Sequence, residues 1–209
     1  MAKKPTQKPP AATKPSKPGS LKPGSLRIIA GAWRGRAIEV PAGDLIRPTA
    51  DRVREALFNK LAHAFADFRF PEARVVDVFA GTGALGLEAL SRGAAQAVFL
   101  DRNPEAIALI KRNAAQLNAE DRAVIMNADG AHLPRAATPC DLAFLDPPYG
   151  EGLVAPALTG LMVQGWLKPG ALVSIETDAS EMAAEASGYA LLDRREYGRV
   201  AITILRYAP

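Results

Sequence analysis

The sequence predicts a doubly wound α/β domain, a mainly parallel sheet covered by helices on both faces. From Arg74 onward short apolar runs recur: "RVVDVF" at 74, "AVFL" at 97, "AVIM" at 123, "DLAFL" at 141 and "ALVSIE" at 171. Segments of helical length separate them, and strand alternating with helix at this spacing means βαβ units. The rhythm breaks at the end, where "YALLDRREYGRVAITILRY" reads as two strands joined by a short turn at Tyr197 and Gly198. That hairpin is expected to close one edge of the sheet.

Taken in order, residues 1 to 25 hold six lysines, six prolines and no acid. Such a segment cannot bury enough apolar surface to offset its ordering entropy and is expected to be a disordered tail. It either solubilises the chain or adds a polycation that helps hold RNA. Residues 26 to about 40, "LRIIAGAWRGRAIEV", look like two short strands around a glycine-containing turn. From 50 to 66, Val53, Leu57, Leu61, Ala64 and Phe65 recur at helical spacing, with Arg52, Arg54, Glu55 and Asn59 on the surface. In "GALGLEALSRG", Gly93 stands where a helix C-cap glycine belongs. The next helix opens with Asn103 as N-cap and Pro104 at its first position, and puts Ile107, Ile110, Ala114 and Leu117 on one face. The expected division is therefore a tail over 1–25, an RNA-contacting extension over 26–70 and a catalytic domain over 71–209.

Composition removes several function classes. The formal charge is +4 over 209 residues, but the tail carries the excess and the remainder is slightly acidic. The high isoelectric point thus says little about the folded part. A single cysteine, Cys140, rules out an intramolecular disulfide framework, and no apolar run is long enough to span a membrane. The basic start is followed by no apolar run, so no secretory signal is expected and the chain reads as cytoplasmic. His63 and His132 stand far apart without Cys or paired acids nearby, so no metal site is expected.

The chemistry begins at Gly81-Thr82-Gly83-Ala84-Leu85-Gly86, a G-x-G-x-x-G between strand and helix. Alone it would indicate a dinucleotide site, or only a tight turn. Asp77, inside the preceding strand, shifts the ligand. A buried carboxylate needs partners, and either the loop amides or a ligand ammonium could supply them. S-adenosylmethionine carries an ammonium and a sulfonium, whereas a pyrophosphate would be repelled. Asp101 ends the second strand, placed to accept ribose hydroxyls or to cap the helix beside Asn103. Asp129 in "NADG" could hold an adenine amino group with the Gly130 backbone close to the ring, unless Asp-Gly is an ordinary turn.

The pattern D-x-F-x-G-x-G-x-x-G-x-E from Asp77 to Glu88, with "DPPY" closing the fourth strand, resembles the class I (Rossmann-like) methyltransferases that modify exocyclic amines. "RIIAGAWRGR" (27 to 36) and "RPTADRVREALFN" (47 to 59) further resemble the RsmD family, guanine-N2 methyltransferases of bacterial 16S rRNA. The resemblance runs from Leu26 to the end. It implies a seven-stranded sheet with the last strand antiparallel, S-adenosylmethionine across the carboxyl ends of the strands, and one guanine of 16S rRNA as target. A monomer and a small-subunit particle are the expected state and substrate, though the sequence leaves naked RNA, an assembly intermediate and the oligomeric state open. The resemblance also places Phe79, Ala80, Gly81, Gly83, Arg102 and Asp146 with Asp77, Asp101, Asp129 and Gly130 around the donor.

In "DPPY", Asp146 supplies a carboxylate acceptor for one N–H of the target amine and the Pro147 carbonyl can supply a second. Pro147 and Pro148 remove competing donors and fix φ. Tyr149 offers a face for an extruded base. The tetrad suits adenine N6, cytosine N4 and glutamine amides equally, so it identifies an amine without naming it. An adenine-N6 enzyme, a nicotinamide-dependent oxidoreductase and an RNA-binding protein without turnover are the competing readings. Arg27, Arg34 and Arg36 on the hairpin and Arg47, Arg52 and Arg54 at the helix start are suitable phosphate contacts, with Trp33 free to stack. Asp51 and Glu55 could pair with some of them.

Overall fold

The computed structural model describes residues 25–41, 48–181 and 186–209. The expected tail up to residue 24 and Arg47 lie outside the described residues. A small antiparallel pair, β1 (Ser25–Arg27) and β2 (Ala37–Glu39), comes first, followed by α1 (Pro48–His63). The alternating unit then runs β3 (Arg74–Val78), α2 (Ala84–Ser91), β4 (Gln96–Asp101), α3 (Pro104–Leu117), β5 (Ala123–Asn127), β6 (Cys140–Leu145), α4 (Val154–Val163) and β7 (Leu167–Asp178). The antiparallel hairpin β8 (Tyr189–Tyr197) and β9 (Val200–Tyr207) ends the chain.

The seven-stranded sheet has the order β5-β4-β3-β6-β7-β9-β8, with β9 antiparallel to both neighbours. Strand order reverses between β4 and β6 on either side of β3, which opens a crevice at the carboxyl ends of these strands. On one face Val75, Phe99, Phe144 and Ile204 pack with α1, α2 and α3 and with Ile28 and Ile38 of the N-terminal segment. On the other, Val76, Leu100, Leu145 and Ile175 pack with α4 and Trp166. One expected helix is missing. Residues 128–139, between β5 and β6, form turns and loop, and Leu133 fills the second face while the Pro134 carbonyl accepts the Trp166 indole N–H at 2.8 Å.

Asn103 caps α3 through a 2.9 Å bond from the Glu105 amide, and Asn118 ends it in the left-handed region. The buried face of α3 includes a polar side chain, Asn113. Its Oδ1 accepts the Glu39 amide at 2.7 Å, and its Nδ2 donates to the Glu39 carbonyl at 3.0 Å and the Thr82 carbonyl at 2.9 Å. One amide thus joins β2, α3 and the glycine loop.

Two buried carboxylates set the position of α2. Asp77, 1 % exposed, accepts the Gly86 amide at 2.9 Å and fixes the helix's first turn beneath the glycine loop. A Cβ at Gly86 would meet the Phe99 ring at 2.3 Å, so only glycine lets α2 lie this close to β4. Glu88, fully buried, accepts the amides of Ile29 at 2.7 Å and Ala30 at 3.0 Å and pairs with Arg92 Nε at 2.7 Å. Ser91 adds bonds to the Trp33 amide and the Ala30 carbonyl, at 3.0 and 2.6 Å. At Gly31 a Cβ would fall 1.9 Å from the Ser91 carbonyl oxygen. The segment "RIIAG" therefore lies flat against α2 with no room for a side chain at its tightest point.

Removing Glu88 strands two amides and the Arg92 guanidinium. Glu88→Ala is expected to cost about 3–5 kcal/mol in chemical denaturation, with lost exchange protection at the Ile29 and Ala30 amides. For Asp77, burial first and Asp101 second push the carboxyl up from 3.8 to about 8, opposed by the Gly86 amide. A folded-state value above the unfolded one gives stability that is full below 3.8 and is lost as pH rises through about 8. Asp77→Asn keeps an acceptor for Gly86 without the charge, so its stability relative to wild type should improve steadily across that window. Asp77→Ala should instead cost about 1–3 kcal/mol at any pH, because the Gly86 amide loses its partner.

Candidate active site

β3 ends in a turn that carries Phe79 at φ +64°, an unusual conformation for a side chain of this size, and Gly81 at φ +53°. Above it opens a cleft of about 690 Å³ walled by Phe79, Gly81, Asp101, Arg102, Asp146, Pro147, Pro148, Tyr149 and Leu153. The glycine loop, the end of β4 and the tetrad after β6 therefore meet in one cavity of the size small-ligand sites have. A second cleft of about 840 Å³ shares Gly81 and Asp101 and extends along α3 toward Val40 and Pro41.

Asp101 is tied at both oxygens: Oδ2 accepts the Gly81 amide and Oδ1 the Asn103 amide, each at 2.8 Å. It couples the glycine loop to the start of α3 and still faces the cleft, while Asn103 performs the capping. Arg102 faces Glu151 at 4.0 Å across the mouth.

The pattern of side chains along the strands gathers acids on one face. Asp77 is paired with Phe99 and with Phe144. Asp101 and Asp146 each follow two residues later on their strands, and the Leu145–Ile175 pair puts Glu176 of β7 beside Asp146. Successive residues alternate faces, so Asp101, Asp77, Asp146 and Glu176 lie on the same face of four neighbouring strands. Glu176 had no signal in the sequence beyond an acid late in an apolar strand. Its Oε1 accepts the Tyr149 hydroxyl at 2.8 Å.

Asp146 is exposed at the cleft, yet the protein packed behind it pushes its carboxyl well above the ordinary range through desolvation first, with Glu176 and then Asp77 adding to the effect. Water reaches the side chain from the mouth, which trims the shift without reversing it. Burial also raises Glu176, against the opposing pull of its bond from Tyr149. The Tyr149 hydroxyl is pushed up as well, by burial and then by Glu176, so it remains a donor. The Tyr149 ring is 45 % exposed beside the cleft.

Other expected site residues are not brought to this wall. Asp77 lies beneath the loop, bonded to the Gly86 amide and with no face on either cleft. Ala80 and Gly83 shape the turn, Ala80 through its amide to the Leu100 carbonyl at 3.0 Å and Gly83 as N-cap of α2 at φ +78°. Asp129 accepts the Ala131 amide at 3.0 Å and lies 2.7 Å from His132 Nδ1, and these contacts, His132 first, hold its carboxyl below the usual range. Gly130 is buried under the Phe79 ring.

Two of the arginines expected to meet phosphate have structural partners, and one of them, expected on the surface, is buried. Arg36 donates to the Leu117 carbonyl at 3.4 Å and to the Gln116 carbonyl, closing the carboxyl end of α3. Arg54, expected on the surface of α1, is 8 % exposed and donates to the Arg27 carbonyl at 2.6 Å and to Asp51 at 3.0 Å. Helix-end carbonyls and a part-buried strand carbonyl are their partners. Trp33 is half-buried, with the Arg122 guanidinium 5.0 Å from its ring centroid, so one face is already covered. Arg27 is half-buried at the end of β1, whereas Arg34 and Arg52 are exposed and form no ion pair among the described residues.

The family model described as "Conserved hypothetical protein 95" matches residues 26–206. "Ribosomal RNA small subunit methyltransferase D" of Escherichia coli K12 is 38 % identical over 189 residues, spanning 90 % of this chain and 91 % of that one. The protein of the same name from Haemophilus influenzae is 36 % identical, over 85 % and 92 % of the two chains. The solved structure of yhhF from Escherichia coli superimposes with a TM-score of 0.77 at 34 % identity, covering 89 % of this chain and 99 % of that one. The chain thus belongs to the conserved hypothetical protein 95 family, the RsmD family, and is a methyltransferase with the class I fold.

Proposed function

We propose that the protein transfers a methyl group from S-adenosylmethionine to the N2 amine of a guanine in 16S rRNA, within a small-subunit particle. The observation that carries this reading is that the Asp146-Pro147-Pro148-Tyr149 turn opens onto the same cleft as Gly81 and Asp101. The names of the relatives supply the class of RNA. An acidic wall fits a donor bearing an ammonium and a sulfonium and opposes a dinucleotide pyrophosphate. Gly81, Asp101, Arg102 and Phe79 are the residues that would hold it, with Asp77 holding the first turn of α2 in place below the loop. Bound there, the donor supplies a methyl group already activated by its sulfonium.

The protein's own part is orientation. Asp146 accepts one N–H of the amine and the Pro147 carbonyl the other, so the nitrogen lone pair is aimed along the line of transfer. No backbone N–H at 147 or 148 competes. As positive charge grows on the nitrogen, the Asp146 carboxylate offsets it, and the surplus proton leaves to water after transfer. Tyr149, held at its hydroxyl by Glu176, presents a ring on which the extruded base stacks. In the extension over 26–70, Arg34 and Arg52 are exposed, form no ion pair among the described residues and suit phosphate contact. We take the enzyme to act as a cytoplasmic monomer.

Methyl transfer from labelled donor to small-subunit particles lacking the modification, followed by nucleoside analysis, tests the reading; methylated guanosine is expected and methylated adenosine would overturn it. Asp146→Ala should lower the transfer rate about 100-fold or more while donor affinity stays within a few fold. Transfer needs the ionised carboxylate, and its pKa is raised, so the wild-type rate should fall with pH through a midpoint above the ordinary 3.8. Arg34→Ala and Arg52→Ala should each reduce the salt slope of RNA binding by about 1.

A further inference from the structure

Glu176 is absent from the wall of the cleft, yet it stands beside the residue that accepts the amine. Only one of its oxygens is engaged, by the Tyr149 hydroxyl at 2.8 Å, and among the described residues the other accepts no hydrogen bond. Structural duty explains the first oxygen and leaves the second without a role. A glutamate half-buried in a sheet, next to another carboxylate that it repels, is an expensive way to orient one phenol.

We propose that Glu176 is the specificity-determining residue for guanine, accepting the N1–H of the target base while Asp146 accepts an N2–H. This rests on the reading that the substrate is a guanine in RNA. Neighbouring strands lie about 4.7–4.9 Å apart, so carboxylates from adjacent positions on β6 and β7 can reach two neighbouring atoms of one base edge. Guanine carries donors at both N1 and N2. Adenine carries donors at N6 but an acceptor at N1, which would face a carboxylate oxygen with no proton between them. The bond from Tyr149 fixes the Glu176 rotamer and ties base stacking to edge recognition. The arrangement thus supplies what the tetrad lacks, a way to tell one exocyclic amine from another.

The test uses small-subunit particles reconstituted with RNA carrying guanine or 2,6-diaminopurine at the modified position. Diaminopurine keeps the amine at C2 but has an unprotonated N1. Wild-type enzyme should favour guanine in kcat/KM by about 10- to 100-fold. Glu176→Gln, whose amide can donate as well as accept, should bring the two substrates within a few fold of each other, and Glu176→Ala should do the same. The ratio of two substrates on one enzyme sample is insensitive to partial loss of folded protein. Tyr149→Phe, which removes the hydroxyl and keeps the carboxylate, should retain the preference for guanine even as its rate falls. If the Glu176 variants kept the wild-type ratio, or if Tyr149→Phe lost it as completely as they do, direct recognition by the carboxylate would be overturned. Failure of wild-type enzyme to methylate the guanine particles would instead overturn the underlying assignment of substrate.

Discussion

The closed carboxylate of Glu88 is the interaction on which the working end of the molecule depends. Two amides from the N-terminal segment and one guanidinium nitrogen converge on it in a site with no access to water. A buried charge is tolerable only when its partners are complete, so the N-terminal segment and α2 must be present together or the site fails. The consequence spreads through α2. Its first turn is held by Asp77 from below, its last turn by Ser91 contacts from above, and Asn113 ties the hairpin to the loop that α2 follows. The N-terminal hairpin is therefore part of the frame of the glycine loop as much as an outward-facing extension, and it shares one core with the sheet.

A row of four acids at the carboxyl ends of β4, β3, β6 and β7 is destabilising in isolation. Asp77 feels Asp101, and Asp146 feels both Glu176 and Asp77, so each ionisation opposes the next. Such an arrangement persists where the compensating charge arrives with a ligand or develops during reaction. A cationic donor does the first and an amine being alkylated does the second. The same acids that weaken the empty protein thus become partners once both substrates are in place.

The fold was legible because its signals are local. Apolar runs of strand length, the Asn103–Pro104 helix start and the glycines after β3 can each be read within a few residues, and all stand as expected. The missing helix over 128–139 escaped because a segment between strands can fill a face with one leucine and a proline carbonyl as well as with a helical turn. The roles of polar residues were less legible. Arg36, Arg54, Asn113 and Glu176 meet partners whose positions depend on the closed fold, and for Arg36 the partner lies about eighty residues away. An arginine in a family signature reads equally as a phosphate ligand or as a cap for helix carbonyls. The position of α3's end is what gives Arg36 of "RIIAGAWRGR" its carbonyl partners, while the Arg34 side chain stays exposed.

Gly130 carries a constraint that the sequence does not reveal. In "NADG" it reads as backbone close to an adenine ring or as part of an ordinary Asp-Gly turn. Yet Gly130 is not among the glycines at positive φ. What it lacks room for is a side chain: a Cβ there would lie 2.4 Å from the Phe79 ring. Phe79 itself occupies the left-handed region, at a cost of about 1–3 kcal/mol that surrounding contacts must offset. Seating its ring over Gly130 is one such contact, and the Ala80 amide bonded to the Leu100 carbonyl is another. The strained turn puts Phe79 on the cleft wall and brings Gly81 within 2.8 Å of Asp101. Glycine 130 therefore serves the site through Phe79, by leaving space for the ring that stabilises the turn. A larger residue at 130 would disturb the glycine loop through the Phe79 ring.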